Sequence, residues 1–91
     1  MIDQERMKQD LARLRDTVAK AADALKLPLL REELAELKEE MNAPDFWNNL
    51  ERSTAVNRKV SQIEGKLDHV KRLETRADDV EAMLELLAED E

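Results

Sequence analysis

The sequence predicts an all-α fold, an elongated antiparallel coiled-coil-like bundle of three helices (about 3–26, 29–42 and 48–89) with the third the longest. Three observations predict it. The 91 residues are 41% charged and 42% hydrophobic with one Gly and two Pro, the composition of long amphipathic helices rather than sheets. Apolar residues recur at steps of three and four in three segments, which keeps a single stripe on one helix face. At about 1.5 Å per residue the segments span ~36, ~21 and ~60 Å, so the first two together match the third. A hairpin with a broken first arm follows from that match. A compact three-helix bundle is the alternative, and it would leave much of the carboxy-terminal half of the third helix uncovered.

The first helix opens at Asp3 as N-cap, with Ile2 and Met7 at the two positions of a hydrophobic staple. Its stripe is Met7, Leu11, Leu14, Val18, Ala21 and Leu25. The phase is then lost, because the step from Leu25 to Leu30 is five residues and Pro28 lies between, where it removes a helical hydrogen bond and disfavours helix at Leu27. A break is expected there. The second helix carries Leu30, Leu34, Leu37 and Met41 and stops at Asn42-Ala43-Pro44. In the third, Val56, Val60, Ile63, Leu67 and Val70 form one heptad run, and Leu73, Ala77, Val80, Leu84 and Leu87 another. The step from Val70 to Leu73 is a stammer, which overwinds the supercoil locally. Gly65 inside this helix marks either close helix approach or simple tolerance, at a cost of about 1 kcal/mol relative to Ala.

Between the second and third helices, Pro44 suits the start of a short turn over 43–47, after which Asn48 caps the third helix with Glu51 as its capping-box partner. Phe46 and Trp47, the only aromatic residues in the chain, are expected to plug the open end of the apolar seam where Met41 and Leu50 arrive.

The net charge of −7 comes from the end of the chain. From Asp78 on there are seven acidic residues and no Lys or Arg; before that, bases and acids balance at 15 each. Acidic residues at a helix carboxy terminus oppose its dipole, so the chain is expected to continue in a longer parent. Without cysteine there is no disulfide framework and no thiolate metal site. The first thirty residues hold no run resembling a signal peptide, and no stretch reaches the ~20 apolar residues of a membrane span. A soluble, cytoplasmic protein is expected, with no membrane partner.

Helix geometry removes most catalytic chemistry. The one histidine, His69, has Gly65, Lys66, Arg72 and Leu73 at the positions where a second metal ligand would stand. Ser61 and Ser53 lie about 12 and 24 Å from it along the helix axis, too far for a nucleophile–base pair. Glu32, Glu36 and Glu40, and again Glu81, Glu85 and Glu89, form ladders that read as solvated faces, since a metal site needs ligands converging from several elements. One Gly cannot build a phosphate loop. The basic residues Arg52, Arg58, Lys59, Lys66, Lys71, Arg72 and Arg76 are diluted by Glu64, Asp68 and Glu74, so no autonomous nucleic-acid binding is expected. No catalytic, cofactor-binding or metal-binding residue is assigned.

The run LAELKEEMNAPDFWNNLERS, followed by a long charged helix ending VEAMLELLAEDE, resembles the amino-terminal helical domain of the bacterial peptide chain release factor 2 family. The likeness covers Leu34 to Met41, Pro44 to Asn49 and Leu84 to Glu91, and extends from about Leu30 to the end. It implies the first domain of a class I factor that acts at stop codons UAA and UGA and promotes peptidyl-tRNA hydrolysis. The family's Gly-Gly-Gln and Ser-Pro-Phe motifs are absent from these residues, so no catalytic or codon-reading role transfers to any of them. As partners the resemblance implies the GTPase-associated region of the ribosome, the class II release factor GTPase and the methyltransferase that modifies the catalytic Gln. Read from its heptads alone, the chain is instead an autonomous coiled-coil adaptor that self-associates.

Overall fold

The structure, a computed structural model, describes residues 3–89. It contains helices α1 (Gln4–Leu25), α2 (Leu27–Met41) and α3 (Leu50–Glu89), with a single 3₁₀ turn, Phe46–Asn48, between α2 and α3. The described residues contain no strand. They divide into two compact units: one is Leu25–Asp68, the other joins the described residues up to Ala24 with those from His69 on. Thus α2 shares a unit with the first half of α3, and nearly all of α1 shares one with the second half. This is the partner assignment of the hairpin and not of the compact three-helix bundle.

Asp3 caps α1 as its side chain and position dictate. The Arg6 amide donates to Asp3 Oδ1 at 3.1 Å, and the Met7 amide donates to the Asp3 carbonyl at 3.1 Å. Ile2, the other half of the expected staple, lies outside the described residues. Along the stripe Val18 is buried, and Met7, Leu11, Leu14, Ala21 and Leu25 are half-buried.

The break comes earlier than Pro28. Lys26 adopts a left-handed conformation, φ 52° and ψ 60°, and its carbonyl accepts from the amides of Leu29 and Leu30 at 3.0 and 3.2 Å. The second helix therefore starts at Leu27 and not at 29. Pro28 falls in its first turn, where the missing N–H would have had no partner anyway, so the proline is compatible with the helix instead of ending it. Leu27 becomes a buried core residue, and the stripe of α2 runs Leu27, Leu30, Leu34, Leu37, Met41.

In the unit of Leu25–Asp68, α2 and the first half of α3 are antiparallel. Glu40 of α2 pairs with Arg52, and Glu33, two turns back, pairs with Lys59 at 3.5 Å. Partner numbers rise along α3 as they fall along α2. Val56 and Ile63 are each 1% exposed, and Val56 and Val60 form a cluster with Phe46, packed by Leu34, Leu37, Met41 and Ala43.

In the other unit Val18, Val70, Ala77 and Leu84 are buried, and Leu73, Val80 and Leu87 half-buried. Arg15 of α1 reaches across to α3, with Nη1 2.9 Å from Asp78 Oδ1 and Nη2 2.6 Å from Glu81 Oε2. Both heptad runs of α3 thus face inward, the first up to Leu67 in the unit of α2 and its last member, Val70, together with the second run in the unit of α1. The unit boundary on α3 falls between Asp68 and His69, directly before the Val70 to Leu73 stammer. The phase slip in the sequence coincides with the change of partner. At Gly65 a Cβ would meet nothing within 4 Å, so this glycine is tolerated and marks no close approach.

Candidate interaction surface

The turn joining α2 to α3 concentrates the unusual side chains, and its hydrogen bonds explain why it holds one shape. Asn42 and Ala43 amides close the end of α2 by donating to the carbonyls of Glu39 and Glu40, at 3.0 and 3.1 Å. The Phe46 amide donates to Ala43 at 3.1 Å and starts the 3₁₀ turn. Asn49 then takes an extended conformation, φ −102° and ψ 96°, and its Oδ1 accepts from the Arg52 amide at 3.0 Å. The N-cap of α3 is therefore Asn49 and not Asn48, and helix begins at Leu50. The 3₁₀ turn absorbs Asn48, which moves Glu51 out of the position a capping box requires. Two adjacent asparagines cap equally well, so the sequence could not choose between them.

The two aromatic rings separate. Phe46 is 6% exposed and fills the cluster with Val56 and Val60, as a plug should. Trp47 is 58% exposed and Leu50 78%, so neither closes the seam. In a 3₁₀ turn consecutive side chains diverge by about a third of a revolution, so only one ring of the pair can face the core. Trp47 instead stands edge-on to Phe46, with centroids 4.9 Å apart and planes at 84°. Beside them lies a shallow cleft lined by Glu40, Ala43, Asp45, Phe46, Asn49 and Arg52.

At that cleft the two hydrogen bonds from Arg52 hold the Glu40 carboxyl below its ordinary pKa range, and Glu40 in turn raises the guanidinium. On the other unit the Arg15 guanidinium is raised, first by its hydrogen bond to Asp78 and then by Glu81. One member of each carboxylate ladder, Glu40 and Glu81, is thus in an ion pair, with Arg52 and Arg15 respectively. No group of three or more His, Asp or Glu among the described residues converges as a metal site, and His69 is exposed. No helix of the described residues is long and apolar enough to cross a membrane.

Sequence reasoning missed Leu27 and Ser53 as buried residues. Ser53 is one heptad step before Val56, and its hydroxyl donates to the Leu50 carbonyl at 3.1 Å, which satisfies it inside the seam. The spacing from Ser53 to Val56 was the available signal.

Compared with known families, residues 30–91 match the PCRF domain. The chain is 35% identical over 82 residues to peptide chain release factor 2 of Kineococcus radiotolerans, covering 90% of this chain and 22% of that protein. It is 30% identical over 81 residues to peptide chain release factor 2 of Clostridium perfringens, covering 89% and 22%. With the Colwellia psychrerythraea protein of the same name it shares 36% over 59 residues, 65% of this chain and 16% of that one. The chain spans about a fifth of the length of these curated relatives. A comparison with solved structures gives no match.

Proposed function

The chain belongs to the PCRF domain family, and from that premise we propose that it is the accessory amino-terminal domain of a class I translation release factor, serving contact with the ribosome or its partners. The observation that carries this reading is the match over residues 30–91 together with relatives named peptide chain release factor 2. Stop-codon reading at UAA and UGA and peptidyl-tRNA hydrolysis belong, on this reading, to the full-length protein. The 91 residues hold neither Gly-Gly-Gln nor Ser-Pro-Phe, which supports a domain without catalysis of its own. Its partners are the GTPase-associated region of the ribosome, the class II release factor GTPase and the release-factor glutamine methyltransferase, in the cytoplasm.

The parent gene tests this directly. An open reading frame that continues past Glu91 into a Gly-Gly-Gln motif is expected; one that stops there sinks the reading. In a peptidyl-tRNA release assay the 91-residue chain alone is expected to give no stop-codon-dependent hydrolysis.

Self-association as a coiled-coil adaptor loses its main motive. The heptad positions that would drive it, Val56, Ile63, Val70 and Ala77, are already 1, 1, 2 and 0% exposed within one chain. A monomer is expected in sedimentation at micromolar concentration.

A further inference from the structure

We infer that the turn between α2 and α3 is a protein-docking surface anchored by Trp47, and that it takes a basic protein partner, an apolar pocket rimmed by Lys or Arg side chains. Nothing in the core needs this indole. Phe46 alone completes the cluster with Val56 and Val60, while the only tryptophan of the chain stands 58% exposed next to it. Leu50, at the first position of α3, is 78% exposed at the same turn. The indole is also prepositioned. It meets the buried Phe46 ring edge-on at 4.9 Å, and the backbone beneath is fixed by the 3₁₀ turn and the Asn49 cap. An apolar anchor that is already ordered loses little conformational freedom on docking, and exposed tryptophan is the residue type most often found carrying an interface.

Charge selects the class of partner. Between Lys38 and Arg52 the chain carries Glu39, Glu40, Asp45 and Glu51 against the two cations at its ends. One of those cations, Arg52, already makes a two-point contact with Glu40. A phosphate backbone brought to this turn meets more carboxylates than cations. A protein surface with Lys or Arg around an apolar pocket meets complementary charge, and a guanidinium stacked on the open face of the indole adds a cation–π contact.

The probe is the purified large ribosomal subunit, because the inference rests on the release-factor reading above; protein-free ribosomal RNA from the same subunits is the second arm. Co-sedimentation is measured for the unchanged chain and for Trp47→Ala, Trp47→Phe and Leu50→Ser, each first checked by circular dichroism for retained helix. The expected result is binding to the subunit but not to the RNA, weakened at least about tenfold by Trp47→Ala and less by Trp47→Phe. If Trp47→Ala and Leu50→Ser bind like the unchanged chain, the docking surface is wrong while the release-factor reading stands. Equal binding to naked RNA overturns the partner class. If the unchanged chain fails to sediment with the subunit, the docking inference is overturned, while the release-factor reading is decided separately by the parent gene.

Discussion

Arg52 donates two parallel hydrogen bonds to Glu40, Nε to Oε1 and Nη2 to Oε2, each 2.7 Å long. The pair ties the last turn of α2 to the first turn of α3. Each charge is at the unfavourable end of its own helix, a carboxylate at the carboxy terminus of α2 and a cation at the amino terminus of α3. Pairing offsets both penalties.

Removing one partner should therefore lower stability more than removing both. Thermal melts of Glu40→Gln, Arg52→Gln and the double variant are expected to place the double variant above at least one of the singles. The pH dependence has a definite sign. Because Arg52 lowers the Glu40 pKa in the folded chain, the pair's contribution is present above the ordinary carboxylate range and is lost as pH falls through the lowered value. Urea melts from neutral to strongly acidic pH should show that loss in the unchanged chain and a flatter profile in Glu40→Gln.

The aromatic neighbours should respond unequally to truncation. Phe46→Ala opens a cavity beside Val56 and Val60 and is expected to cost about 3 kcal/mol. Trp47→Ala, on an exposed ring, should stay within about 0.5 kcal/mol. Equal losses in a denaturant titration would contradict the assignment of Phe46 as the plug.

The cap of α3 separates in the same way. Asn49→Ala removes the acceptor for the Arg52 amide and is expected to cost about 1 kcal/mol. Asn48→Ala, within the 3₁₀ turn, should be close to neutral by the same measurement.

Glycine is better placed at 26 than at 65. Lys26 holds a positive φ of 52°, so Lys26→Gly relieves a left-handed residue and should raise stability by up to about 1 kcal/mol, while Lys26→Val lowers it. At Gly65 a Cβ has open space, and Gly65→Ala should add about 1 kcal/mol, seen as a higher Tm.

Much of this was legible because helix packing is periodic. Every heptad position read along α3 is buried or half-buried, from Val56 to Leu87, and Asp3 caps where its side chain and position say it should. The misreadings share a cause. At Lys26, at Asn49 and at Trp47 the outcome depends on one residue's backbone conformation, which periodicity does not encode. A lysine gives no hint of a left-handed φ, and a Phe-Trp pair does not say which ring turns inward. The candidate docking surface was hidden for that reason, since a reading that packs both rings into the seam leaves no indole outside it.

The order in which α3 meets its partners also sets an order in time. Glu40 and Arg52 are 12 residues apart, whereas Arg15 and Glu81 are separated by 66. Short loops close at lower entropic cost, and local contacts form early. The region around Phe46 is therefore expected to form first, and α1 is the element that must wait, since its partner residues 69–89 follow it by more than forty positions.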